Sequence, residues 1–157
     1  MGVVKKFSVS GKRPMQKGGN YFKPGEYLCE ITGIKYVDVR NKAPMFVLET
    51  RLLEVVDAKD GASAGATRNW CQMTDTDWAA PNILECVMAA YGEDPSDAAA
   101  LREDQPDYWD NKIDEAMEKG TVIGNKVFVV CVSKLKKNAK DEPQNYRDVC
   151  SFLPYSE

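Results

Sequence analysis

The sequence predicts a mainly β, α+β domain in which five strands form a small barrel and helices lie between the third and fourth strands. Three observations lead to this prediction. β-Branched and aromatic residues are concentrated in five segments, a helical stretch separates the third segment from the fourth, and a glycine interrupts the first segment. A chain of 157 residues fits one such domain.

The first predicted strand, residues 26–39, is too long for an average strand. Gly33 lies at its middle, where a glycine commonly marks a bulge or a sharp bend. A strand bent in this way can serve two sides of a small barrel. The segment therefore favours a barrel over a simple hairpin.

The other four strands are predicted from the same composition and from the turn residues around them, at residues 45–56, 68–73, 125–135 and 145–153. The first three strands follow one another along the chain and form a meander. A loop at residues 136–144, which is basic and contains a proline, joins the last two strands.

Helical signals occupy residues 80–119. Pro81 fits the first helical position and Gly92 the end of a helix whose apolar stripe comprises Ile83, Leu84, Val87, Met88 and Tyr91. An acidic helical stretch from about residue 96 is interrupted by Pro106. A further helix is predicted at 107–119, ended by Gly120 and with an inward face of Trp109, Ile113, Ala116 and Met117. Three strands, a helical segment and two strands occur in this order in the OB-fold, a five-stranded and partly open barrel.

Residues 1–24 are predicted to form a flexible basic arm, and residues 25–157 the barrel domain. The chain has no apolar run long enough to span a membrane, and its N-terminus lacks the apolar core of a signal peptide. We therefore expect a cytoplasmic protein with no membrane partner. The five cysteines contain no C-x-x-C motif and the chain has no histidine, so we expect reduced thiols and no metal or cofactor.

The charge is distributed unevenly around a formal net value of −3. Residues 1–23 carry six lysines and arginines with no acid, and residues 126–140 carry five lysines. Residues 93–118, by contrast, hold ten acids against two basic residues. A binding face responds to the local potential, so this asymmetry matters more than the net charge.

An enzyme is not predicted. The absence of histidine excludes Ser-His-Asp and Cys-His arrangements. The small-residue loop at 61–67 lacks the lysine of a phosphate loop, and the acidic residues at 75–77 fit a turn or a cap better than a metal site. A carboxylate nuclease needs no histidine and stays open, although no acid cluster with a nearby lysine supports one.

Residues 24–27, residues 43–49 and the closing segments 124–129 and 145–154 resemble a family of short phage proteins encoded among replication and recombination genes. Members of that family are usually described as of unknown function or as predicted single-stranded DNA-binding proteins. The likeness covers about residues 24–154. It implies an OB-like barrel that coats or delivers single-stranded DNA in phage replication or recombination, with a replication or recombination protein as a further partner. Homo-oligomer formation stays open.

Binding of a single strand without sequence preference needs a positive groove for the backbone and aromatic faces for the bases. In an OB-fold, the face of strands two and three and the loops between strands one and two and between strands four and five supply both. The candidate phosphate contacts are Arg40, Lys42, Arg51, Arg68, Lys134, Lys136, Lys137, Lys140 and Arg147. The candidate stacking residues are Tyr36, Phe46, Trp70 and Tyr146, of which Phe46 fits the core better.

Two segments leave alternatives open. The N-terminal arm at residues 1–24 either closes over a bound strand or is a solvated tail. The acidic helical segment is either a solvated helix face or the contact surface for a protein. The second reading gives a different function, that of a phage protein-interaction or host-inhibitory factor without DNA binding.

Overall fold

The structure, a computed structural model, describes residues 20–155. Five antiparallel strands form one sheet of order β3-β2-β1-β4-β5, with β1 at Gly25–Val37, β2 at Met45–Val56, β3 at Thr67–Met73, β4 at Lys126–Leu135 and β5 at Tyr146–Pro154. Three α-helices of this part of the chain lie between β3 and β4, namely α1 (Ala79–Ala90), α2 (Ala98–Asp104) and α3 (Pro106–Lys119), with a short 3-10 helix at Pro95–Asp97. The predicted α+β class and the position of the helices are confirmed.

β1 is the central strand and pairs with two neighbours over different lengths. It pairs with β2 along its whole length, but with β4 only over residues 25–30. Register shifts interrupt the β1–β2 ladder between Leu28 and Cys29 and between Ile31 and Gly33. The predicted irregularity at Gly33 is therefore confirmed, and a bulge of this kind increases the local bend and twist of a strand.

The sheet is open along one side. β3 and β5 are its two edges, and no hydrogen-bonded ladder joins them within residues 20–155. A closed barrel is therefore not seen. Side chains nevertheless meet across the gap, because the ring of Trp70 on β3 contacts the ring of Phe152 on β5 with centroids 4.8 Å apart.

The segment before β1 contacts strands at both edges. The amide of Asn69 on β3 donates to the carbonyl of Asn20, and Tyr21 forms an isolated parallel bridge with Asn69. Phe22 is buried against other core side chains, and the ammonium group of Lys23 lies 3.9 Å from a carboxylate oxygen of Asp148 on β5. Residues 20–23 thus pack on the domain, whereas residues 1–19 of the predicted arm lie outside the described residues.

The core lies between the inner face of the sheet and the helices. Strand residues that point inwards, such as Ile31, Phe46 and Leu48, pack with α1, whose predicted apolar stripe is largely buried. α1 begins at Ala79, two residues before the predicted start at Pro81, and the proline lies in the first turn, where a missing N–H costs nothing.

The predicted inward face of α3 is also confirmed, since its buried residues are Trp109, Ile113 and Ala116. Gly120 ends α3 in the left-handed conformation, with φ of 63°. No helix within residues 20–155 is long and apolar enough to cross a membrane. The same residues contain no cluster of three or more potential metal-ligating side chains.

Candidate nucleic-acid interface

The β4–β5 hairpin extends beyond the rest of the sheet. β4 pairs with β1 only as far as Cys131, which lies opposite Gly25. The ladder between β4 and β5 continues past this point to Leu135 and Tyr146. Residues 132–149, here termed the basic arm, therefore form a two-stranded projection with most of their side chains exposed on both faces.

Five basic side chains of the arm are exposed: Lys134, Lys136, Lys137, Lys140 and Arg147. Lys134 and Arg147 are directly opposed in the β4–β5 ladder, where like charges repel each other. None of the five forms an ion pair with a carboxylate in the part of the chain that the structure describes. Such an arrangement stabilises an anion that binds beside it.

The three acidic residues of the arm have partners other than its five basic side chains. Asp141 accepts a hydrogen bond from the hydroxyl of Tyr146 at 2.6 Å, and Glu142 accepts one from the side chain of Gln144. Asp148 pairs with Lys23, outside the arm. Within the described residues, the carboxylates of the arm thus form no ion pair with its lysines.

The loop of the arm is shaped by its own hydrogen bonds. The Lys136 amide donates to the carbonyl of Asn145 at 2.8 Å, and the Asn145 side chain donates to the carbonyl of Lys140 at 2.9 Å. Asn138 adopts a left-handed conformation with φ of 60°, which an asparagine tolerates better than most residues. These contacts hold the lysines on a folded loop.

Tyr146 adds an exposed aromatic ring to the basic arm. Its side chain is 37% exposed, and its hydrogen bond to Asp141 holds the pKa of Tyr146 above its ordinary value, so the ring stays neutral. Leu135, which is also exposed, lies directly opposite Tyr146 in the ladder. An exposed ring opposite an apolar side chain, on an arm that carries several lysines, suits stacking of an unpaired base. The sequence analysis missed Leu135, because only the strand register shows the pair.

Two of the predicted phosphate contacts are already paired with acids. Arg51 on β2 bonds to the carboxylate of Glu30 on β1. Arg68 on β3 lies 2.8 Å from the carboxylate of Asp60, and the Nε atom of Arg68 is buried. In both guanidinium groups a carboxylate already compensates the positive charge, which weakens the attraction for a phosphate.

Arg40 and Lys42 are exposed in the turn between β1 and β2. This turn follows the C-terminal end of β1, whereas the basic arm extends beyond the N-terminal end of β1. The strand register therefore places these two predicted sets of phosphate contacts at opposite ends of the central strand.

The other predicted stacking residues lie among protein side chains. Phe46 is fully buried. Trp70 is half-buried, with its ring edge-on to Phe46 at 5.7 Å and to Phe152 at 4.8 Å. The ring of Trp70 thus belongs to an aromatic cluster that joins β2, β3 and β5.

Tyr36 lies beside the acidic helices. It is 42% exposed and lines a cleft of about 370 Å³ together with residues that include Ile83, Arg102, Asp110 and Asp114. Burial is the main cause that raises the pKa of Tyr36, and the carboxylate of Asp114 adds to the effect. Arg102 is itself paired with Asp110 at 2.9 Å. These surroundings do not attract a phosphate.

Comparison with known proteins gives no family assignment for the chain. No protein-family model matches the chain, and no curated protein matches it either. The side chains of the basic arm are therefore the features of the molecule that bear on its function.

Proposed function

We propose that the protein binds single-stranded DNA without sequence specificity, that the basic arm is its main contact, and that it acts in phage DNA replication or recombination. One observation carries the proposal: the basic arm presents five exposed basic side chains, without an ion-pair partner in the described part of the chain, together with the exposed ring of Tyr146. Cations that neutralise phosphates supply most of the affinity of such proteins, and exposed rings supply base stacking.

A single strand suits this arm better than a duplex. The bases of a single strand offer free π-faces to Tyr146, whereas the bases of a duplex are stacked on one another. Four of the five cations are lysines, which act as flexible point charges on phosphates and carry no base-reading geometry of their own. The proposed binding is therefore independent of sequence.

We further propose that the sheet is an OB-like barrel, open between β3 and β5. The strand order, the irregular first strand shared by two neighbours and the helices between β3 and β4 all support this assignment. In an OB-fold, the loop between strands four and five is one of the nucleic-acid-binding loops. The basic arm occupies that position.

Fluorescence anisotropy tests the proposal with labelled oligo-dT and a matched duplex over a series of salt concentrations. We expect binding to the single strand that is micromolar or tighter, weakens with salt and exceeds binding to the duplex. The logarithm of the association constant should fall by about 0.7 per decade of salt for each phosphate that is neutralised. No binding to either nucleic acid at low salt would contradict the proposal.

Paired charge removals locate the site. Lys136→Gln/Lys137→Gln should weaken oligo-dT binding and reduce the salt slope by about 1.4 if each lysine neutralises one phosphate. Lys59→Gln/Lys119→Gln removes the same charge at two exposed positions outside the arm and serves as the matched control. Equal losses in both variants would mean that the net charge, and not the arm, determines binding.

A second candidate function, binding of a protein through the acidic helices, is favoured by the cleft beside Tyr36. Apolar walls from Ile83 and Ile113 and carboxylates from Asp110 and Asp114 meet there, which suits a basic segment with an apolar side chain. If the anisotropy experiment finds no DNA affinity, Asp110→Asn/Asp114→Asn becomes the variant to compare with the wild type in cross-linking experiments with phage and host proteins.

A further inference from the structure

Cys131 on β4 and Cys150 on β5 are directly opposed in the antiparallel ladder. Directly opposed residues of such a ladder have Cα atoms roughly 4.5 or 5.5 Å apart. Both distances fall within the range of about 4.4–6.8 Å that a disulfide requires. The side chains of an opposed pair also project from the same face of the sheet. The backbone therefore places these two thiols side by side, with their Cα atoms at a separation that a disulfide can span.

The two thiols interact directly. A hydrogen bond from the Cys150 thiol lowers the pKa of Cys131, and the same contact raises the pKa of Cys150. When Cys131 is protonated, its thiol has the carbonyl oxygen of Phe22 as an acceptor at 3.9 Å. Cys131 is buried, whereas Cys150 is partly exposed on an edge strand, through which a small oxidant can approach the pair.

The other cysteines have a different environment. Burial raises the pKa of Cys29 to about 12 and that of Cys71 to about 11. Burial raises the pKa of Cys86 as well. A thiolate is the reactive form of cysteine, so these three thiols react more slowly than a thiol whose pKa is lowered.

We propose that Cys131 and Cys150 form a modification site at which a peroxide oxidises the two thiols to a disulfide. The Cys131 thiolate attacks one oxygen of hydrogen peroxide, the O–O bond breaks, and the hydroxide released takes up the proton lost by the thiol. Cys150 then attacks the sulfur of the resulting sulfenic acid, the S–O bond breaks, and the oxygen leaves as water with the Cys150 proton. Two thiols and one peroxide thus give one disulfide and two waters.

The disulfide would close a loop that contains residues 132–149. These are the residues of the basic arm, so the bond would join its two strands at their base. A covalent link at this point prevents the strands from separating where the arm leaves the sheet. Formation of this disulfide depends on the two thiols and the oxidant alone, whether or not the arm binds DNA.

Peptide mapping tests the proposal on the full chain. The folded protein is treated with hydrogen peroxide, free thiols are alkylated, and trypsin is added without reductant. Cleavage after Lys126, Lys134 and Arg147 yields peptides 127–134 and 148–157, each with one cysteine. We expect these two peptides to be linked in the monomeric protein, the mass of the intact chain to fall by about 2 Da, and a reductant to reverse both changes.

Two comparisons make the result specific. Cys71→Ser removes a half-buried cysteine from β3 and should leave the link between the two peptides intact, whereas Cys150→Ser should abolish it. Wild-type protein oxidised in concentrated urea should form the link in lower yield, together with other pairs. Absence of the link in the folded wild type, a link found only between two chains, or an equal yield in urea would each overturn the proposal.

Discussion

The rings of Trp70 on β3 and Phe152 on β5 meet edge to face, with centroids 4.8 Å apart, although no backbone ladder joins the two strands in residues 20–155. Phe46 on β2 contacts the other side of Trp70 at 5.7 Å. Edge-to-face contacts of this kind stabilise a core beyond the area that they bury. Side chains, and not backbone hydrogen bonds, therefore hold the open side of the sheet together.

Trp70→Ala should lower the free energy of unfolding by about 3 kcal/mol, because it leaves a cavity between Phe46 and Phe152. Urea denaturation measures the change. Trp78→Ala removes a tryptophan that is 53% exposed and should change the stability by less than about 0.5 kcal/mol. A Trp70→Ala variant of wild-type stability with weakened oligo-dT binding would instead make Trp70 a DNA contact.

Tyr146→Ala should weaken oligo-dT binding by about 1–3 kcal/mol, which is a loss of at least about fivefold, because a stacking surface is removed. Tyr146→Phe keeps the ring and should retain most of the affinity, although it loses the hydrogen bond to Asp141. Fluorescence anisotropy measures both variants. Tyr108→Ala, which removes an exposed tyrosine from α3, is the matched control, and an equal loss there would contradict a specific role for Tyr146.

Gly33 and Glu49 should be energetically coupled. A Cβ atom at position 33 would collide with the Glu49 carboxylate and lie 3.2 Å from its Cδ atom, so Glu49 would have to turn away from Lys35, its ion-pair partner at 3.4 Å. We expect Gly33→Ala to cost about 1 kcal/mol alone but to stabilise a Glu49→Ala protein by about 0.5 kcal/mol, since alanine restricts the unfolded chain. A double-mutant cycle measures the coupling by urea denaturation of the wild type, the two single variants and the double variant. Additive changes in the free energy of unfolding would exclude the coupling.

Stability at alkaline pH should depend on Tyr27. Burial, with the nearby charge of Asp60 as a smaller cause, raises the pKa of Tyr27 from 10.0 to about 12. The unfolded chain loses this proton first, so the stabilisation is complete below pH 10 and is lost as the pH rises through 12. Tyr27→Phe should flatten this part of the curve of unfolding free energy against pH, while Tyr108→Phe should not. A Tyr27→Phe curve parallel to that of the wild type would contradict the prediction.

Local patterns were sufficient for the elements and for much of the core. The bounds of β2 and the buried face of α3 follow from apolar spacing, because each element must bury one face against the rest of the protein. The bend near Gly33 follows from a glycine inside a long strand. The positive charge of the β4–β5 loop is likewise evident from composition, and exposure of its lysines agrees with that pattern.

Only the tertiary structure decided which side chains of the predicted site are exposed and unpaired, and so able to bind DNA. Arg51 meets Glu30 across the β1–β2 ladder, and Trp70 meets Phe152 between two strands that are distant in sequence. The same holds for the opposed thiols of Cys131 and Cys150. Each contact depends on strand register, and a shift of one residue would move every side chain of a strand to the other face of the sheet. The sequence by itself determined the strands, the helices and the charges, whereas strand register and the β3–β5 gap determined which of those charges and rings face solvent.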